Sequence, residues 1–171
     1  MAIAMFFKGT AHNPAVHNPK GSNADPADLS SAEIAATRMK CPLLMDHDRG
    51  NVLGDVFASW QGAGGELRVS GIVRDKQAAR LIQKGEMRGL SLGTGVATDP
   101  ESGRPVHKQQ EELSVCKMPR RPGCWIDSIN GNRVRVQSCA SKKCEYCKGP
   151  PSAPQPMALP RYLFITHLLA M

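Results

Sequence analysis

A hydroxyl that attacks a carbonyl needs a base beside it, because serine is a weak nucleophile at its ordinary pKa, and that base needs a third group to orient it. Residues 87–96, "MRGLSLGTGV", offer such a hydroxyl: Ser91 stands between Leu90 and Leu92 and is bracketed by Gly89, Gly93 and Gly95. Of the five histidines, His12 and His17 fall in the stretch "TAHNPAVHNPKGSNADPAD", His107 in the polar run "DPESGRPVHKQQ" and His167 near the C-terminus. His47 follows the apolar "PLLMD" and precedes a strand pattern, which makes it the best candidate base. The third group must accept the imidazole N–H, and Asp46, Asp48, Glu111 and Glu112 are all available. Spacing alone does not choose among them.

These residues need a scaffold, and its elements are legible in outline. A strand is expected over Met5 to Lys8, followed by a long Asn/Pro/Gly-rich loop. Ser30 with Glu33 three residues on is a capping-box spacing and starts a short helix with Ile34 and Met39 on its apolar side. The apolar runs "PLLM", "VLGDVFASW" and "ELRVSGIV" read as three strands, the last two joined as a hairpin through "QGAGG". Asp75 and Gly85 bound a short amphipathic helix, "DKQAARLIQKG", which delivers the chain into the Ser91 strand. The polar "DPESGRPVHKQQ" is expected as an exposed loop, "EELSVCKM" as a strand, "PRRPG" as a tight turn, and "CWIDSI" with "RVRVQS" around "NGN" as a final hairpin.

Composition bounds the class. A chain of 171 residues with 41% hydrophobic and 5% aromatic content, 16 glycines and 13 prolines suits one domain of short, turn-linked elements, β-rich or α+β. That domain is placed at residues 1–138, with a Cys/Lys/Pro-rich tail or linker at 139–171. The net charge of +7 is drawn largely from the last third, through Arg120, Arg121, Arg133, Arg135, Lys142, Lys143 and Lys148. No nucleic-acid motif accompanies this charge, so no nucleic-acid partner is expected. "MAIAMFFKGTAHN" lacks the pattern of a signal peptide, and the ten residues "YLFITHLLAM" are about half of a bilayer span, so no membrane association is expected. The six cysteines are expected as thiols. Cys41, Cys116 and Cys124 sit singly in apolar contexts as core residues, whereas Cys139, Cys144 and Cys147 cluster as "CASKKCEYC". That cluster lacks a second pair to complete a zinc tetrahedron, and neither a metal nor a cofactor is expected.

Taken in order, "MDHDRGNVLGDV", "LRVSGIV", a short helix, "GLSLGTGV" and "EELSVCKMPRRPG" resemble the assemblin group of capsid-maturation serine proteases over roughly residues 42–130. These are the herpesvirus assemblins and, more distantly, the phage prohead proteases. The resemblance implies an α+β domain, mainly an antiparallel β-barrel with peripheral helices. It assigns His47, followed by Asp48 and standing ahead of Gly54, as general base, and Ser91 within Gly89-Leu90-Ser91-Leu92 as nucleophile. The herpesvirus enzymes use a second histidine at the start of the strand leading to an Arg-Arg-x-Gly-like turn, and counting back from Arg120 puts Glu112 there instead. Prohead proteases carry a glutamate at this place in a Glu-x-Ser-hydrophobic run, which "ELSV" resembles. The implied triad is therefore Ser91, His47 and Glu112. Glu111 is the main rival, since a one-residue slip in a strand reverses the side-chain face, and His107 a lesser one.

The same resemblance places the oxyanion site at the turn of Arg120 and Arg121. It implies a capsid scaffold protein as substrate, indirect contact with capsid protein, and, in the herpesvirus branch, a homodimer that organises the oxyanion turn. Cleavage after alanine and before serine makes Ala140-Ser141 a candidate self-release site. The expected location is the procapsid or virion interior, in the host nucleus for a herpesvirus-like protein and the host cytoplasm for a phage-like one. The alternative function is a non-catalytic scaffold or assembly protein with this fold and a basic tail. A zinc module on the terminal cysteines is a second alternative.

Overall fold

The computed structural model describes residues 4–14 and 27–135. Eight strands and two helices follow in the order β1 (Met5–His12), α1 (Ser31–Ala36), β2 (Cys41–Met45), β3 (Asp48–Gln61), β4 (Leu67–Val73), α2 (Lys76–Lys84), β5 (Gly89–Thr98), β6 (Pro105–Cys116), β7 (Ile126–Ile129) and β8 (Asn132–Arg133). The helices form where their caps are written. Ser30 and Glu33 make a reciprocal capping box on α1. Asp75 accepts the Ala78 N–H at the start of α2, and Gly85 ends it at φ 85°, a left-handed conformation that costs glycine no Cβ clash. The Arg88 guanidinium then donates to the carbonyls of Ile82 and Gln83, completing the helix end two residues after Glu86 and just before β5 begins. Among the described residues no helix is long and apolar enough to cross a membrane.

The strands form one sheet in the order β5-β6-β2-β3-β4-β1-β7-β8. Every pairing is antiparallel except β2 with β6, which is parallel. The expected α+β, mainly antiparallel, assemblin-like architecture is present, but the barrel is not closed by a continuous ladder. Among the described residues the sheet's two ends meet at one corner, through the Gly89–Trp125 bridge, Leu90 N–H to Cys124 O (2.9 Å) and Ile126 N–H to Arg88 O (2.8 Å). Closure needs a sustained staggered register. Here β7 is four residues long and pairs with β1, and β5 turns its ladder to β6. The single core cluster draws Phe7, Leu43, Leu53, Val69, Leu90, Leu113 and Ile126 from the strands, with Ile34 of α1 and Ile82 of α2 laid against them.

Two expectations are corrected. The run around His107 is not a loop: its loop shrinks to residues 99–104, tied by Asp99 to the backbone N–H of Ser102 and Glu101, and 105–110 is strand. Pairing with β5 supplies the ladder that a polar sequence does not advertise, because strand preference depends on context. His12 does not lie in the Asn/Pro loop but ends β1, 3% exposed, its Nε2 3.2 Å from Leu29 O and 3.3 Å from Leu29 N. Of the three thiols placed in the core, Cys116 and Cys124 are buried and Cys41 half-buried. Burial pushes Cys41 and Cys116 up to about 11 and Cys124 up to about 12, so all three stay protonated and unreactive near neutrality.

Candidate active site

His47 is presented by a tight turn. Met45 and Asp48 face each other across the β2–β3 hairpin, and the two residues between them, Asp46 and His47, take φ of 46° and 63°. These left-handed values are those of a type I′ turn, and for a histidine they are uncommon enough to require support from outside. Strand β6 provides that support: Asp46 N–H donates to Val115 O (3.1 Å), and His47 N–H donates to Ser114 Oγ (2.9 Å). The parallel β2–β6 pairing of Leu43–Met45 with Leu113–Val115 brings the turn to that strand.

Strand β5 brings Ser91 to the same place. In its antiparallel ladder with β6, Ser91 stands opposite Ser114 and Gly93 opposite Glu112, so Ser91, Gly93, Glu112 and Ser114 share one face. The imidazole bridges this face. Ser91 O–H is 2.8 Å from His47 Nε2, and His47 Nδ1 hydrogen-bonds to Glu112 Oε1. With Glu112 ionised, Nδ1 carries the proton and Nε2 is left as the acceptor for the serine. Ser91 (8% exposed) and Glu112 (7%) are buried, while the His47 side chain is 47% exposed and open to an incoming molecule.

Two supporting residues explain the precision of this chain. Ser114, fully buried, accepts from the His47 backbone and donates its O–H to Glu112 Oε2 at 2.8 Å, so one hydroxyl fixes both base and carboxylate. A Cβ on Gly93 would lie 2.0 Å from Glu112 Oε1, so the carboxylate reaches His47 only by crossing the bare backbone of β5. Neither role was assigned from the sequence, although both residues stand in the quoted motifs: Ser114 in "ELSV" and Gly93 in "GLSLGTGV".

The other expected residues fall as follows. Glu111 is skipped where the β5–β6 ladder slips by one residue between Gly93 and Thr94, and it pairs with Arg49 at 2.7 Å in an exposed ion pair. His107, opposite Ala97 on the exposed half of β6, is five residues from Glu112, or about 16 Å at the rise of a strand. Asp48 accepts the Gly50 N–H within its own hairpin. The residues flanking the Arg120–Arg121 turn pack against β5 just ahead of Ser91: a Cβ on Gly89 would meet Cys116 O and Pro119 Cδ, each at 2.8 Å, and Leu90 N–H donates to Cys124 O. Arg120 is exposed, whereas Arg121 is buried and its Nε donates to Asp28 Oδ1 (2.8 Å). The candidate self-release pair Ala140-Ser141 and the cysteines Cys139, Cys144 and Cys147 lie outside the described residues.

No protein-family model matches the chain, and no curated protein matches its sequence. Its structure does match solved ones. The protease of Kaposi's sarcoma herpesvirus (KSHV), in complex with a hexapeptide phosphonate inhibitor, aligns over 76% of this chain and 66% of that one at a TM-score of 0.53 and 14% identity. The protease of varicella-zoster virus aligns over 76% and 65% at a TM-score of 0.49 and 14% identity. The match therefore spans just under two thirds of these proteases' own length. On the KSHV alignment and the sheet order, the chain has the assemblin-like fold of the herpesvirus proteases.

Proposed function

We propose that the chain is a serine endopeptidase of the capsid-maturation type, acting through Ser91, His47 and Glu112. The observation that carries this reading is the unbroken hydrogen-bond chain Ser91 O–H to His47 Nε2, and His47 Nδ1–H to Glu112, assembled from two strands and the β2–β3 turn within an assemblin-like fold. Ser91 Oγ attacks the scissile carbonyl as its proton passes to His47 Nε2. Glu112 stabilises the imidazolium that forms and keeps Nδ1 as the donor. By resemblance, the amides of the Arg120–Arg121 turn, whose flanking residues Pro119 and Cys124 meet Gly89 and Leu90, face the developing oxyanion, where each such donor is worth about 3 kcal/mol in other serine proteases. His47 then returns the proton to the leaving amine, and water attacks the acyl-serine by the same base in the second half-reaction.

By resemblance, the substrate is a capsid scaffold protein cut after alanine, with Ala140-Ser141 as the chain's own release site and a homodimer as the working form. The KSHV protease is held by a peptide phosphonate, and this class of inhibitor is also the direct test here. A peptidyl phosphonate is expected to form a stoichiometric adduct on Ser91 in the wild type, seen by intact mass and peptide mapping, and none in His47→Ala. A folded wild-type protein that stays unmodified under the same conditions overturns the protease reading in favour of a non-catalytic scaffold protein with the same fold.

A further inference from the structure

The 119–123 turn packs against the start of the Ser91 strand, where a Cβ on Gly89 would meet Pro119 Cδ at 2.8 Å and Leu90 N–H donates to Cys124 O. Pro119 and Pro122 have no N–H to donate, and Gly123 turns the chain at φ 77°. One anchor of the turn spans 93 positions: the guanidinium of Arg121, itself 8% exposed, donates from Nε to Asp28 Oδ1 at 2.8 Å. Asp28 is held independently of the turn. Its carbonyl accepts from Lys108 Nζ of β6 at 2.6 Å. Its neighbour Leu29, 3% exposed, sits with its backbone N and O against His12 Nε2 at the end of β1. The pair 28–29 is thus buckled to two strands, and the buckle holds a buried cation.

We propose that Asp28 is a positioning residue: by holding the Arg121 guanidinium it sets the place of the 119–123 turn, and hence of the amides that face the oxyanion at Ser91. This rests on the serine-protease reading above for its catalytic consequence, but not for the tether itself. Asp28 touches neither the nucleophile nor the base. Its effect is confined to how well the turn is placed when charge develops, so it belongs to the rate of the chemical step and not to the binding of peptide.

The test uses the whole chain and a peptidyl phosphonate. Asp28→Ala is expected to lower the maximal rate of Ser91 phosphonylation about tenfold while the half-saturating concentration stays within about twofold, the pattern of a lost transition-state interaction. Asp28→Asn, which keeps an acceptor oxygen, is expected to recover part of that loss. Hydrogen exchange of the amides of Arg120, Arg121, Gly123 and Cys124 is expected to accelerate in Asp28→Ala, with the β3–β4 amides unchanged. An unchanged phosphonylation rate, a rise in half-saturation alone, or unchanged exchange at these four amides overturns the proposal. A wild type that is not phosphonylated at all defeats the protease reading instead, and the exchange comparison still decides whether Asp28 places the turn.

Discussion

Strand β6 is two regions under one name. Its inner half, Glu112–Cys116, is buried without exception and carries the carboxylate and hydroxyl that hold His47. Its outer half, Pro105–Glu111, is exposed or half-buried and pairs only with β5, in a two-stranded ribbon. The boundary falls between two adjacent glutamates. Glu111 spends its charge on Arg49 in solvent, where an ion pair contributes little. Glu112, one residue on and paired opposite Gly93, is buried and has its two oxygens on His47 and Ser114. The same functional group makes a surface ion pair at one position and is a candidate triad member at the next, because the β5–β6 ladder slips by one residue there and leaves Glu111 as the unpaired residue of a bulge.

The sharpest way to break this comparison is to neutralise each glutamate in turn. Glu112→Gln is expected to cut the rate of Ser91 phosphonylation about 10³-fold, since the amide no longer favours the productive tautomer or the imidazolium. Glu111→Gln is expected to leave the rate within about twofold. Equal losses in the two variants would place the boundary elsewhere.

The two glycines of β5 that their side chains cross give a second contrast. Gly93→Ala puts a methyl into the path of the Glu112 carboxylate, which has no room to yield, and a rate loss of about a hundredfold is expected from the displaced base. Gly95→Ala meets Glu111 Oε1 at 2.5 Å, but that side chain is exposed and swings away, so labelling should be near normal. A harmless Gly93→Ala would show that Glu112 reaches His47 by another route.

Ser114→Ala removes one hydroxyl from both His47 N–H and Glu112, and a fall in rate of about tenfold with a loss of roughly 1–3 kcal/mol in stability is expected by chemical denaturation. The corresponding change on the outer half, Thr94→Ala, frees only the half-buried Gln110 side chain and should be close to neutral in both measurements.

The smallest effect is on the pH dependence of stability. Burial, followed by the charge of Arg121, lowers the pKa of His12 from its usual 6.5. Between 6.5 and that lowered value the unfolded chain binds a proton that the folded one refuses, so stability is fully present above about 6.5 and declines as pH falls through this window. Replacing His12 by Asn is expected to flatten that slope in urea titrations. A slope unchanged by His12→Asn would remove His12 as its source.

Much of this was readable in the chain. Caps are local, so Ser30 with Glu33 marked the start of α1 and Asp75 with Gly85 bounded α2, although α1 ends at Ala36, short of the Met39 expected on its apolar side. Apolar alternation located β2, β3 and β4, and the Asn130–Gly131 turn closed the final hairpin. The outer half of β6 was not readable, because an exposed ribbon puts polar residues on both faces and shows no alternation. His12 was hidden by the prolines and asparagines that follow it, while its burial comes from Leu29, 17 residues on.

The residue types of the site and their order along the chain were determined by the sequence alone: a glycine-bracketed serine, a histidine after an apolar run, and acidic residues ahead of an arginine turn. Which carboxylate serves was decided only by the tertiary structure. That choice depends on a register between β5 and β6, on a parallel contact between β2 and β6, and on the bare backbone of Gly93. None of these is local. A carboxylate's role is set by which strands flank it and which face it occupies, and that information is distributed over contacts some 20 to 70 residues apart.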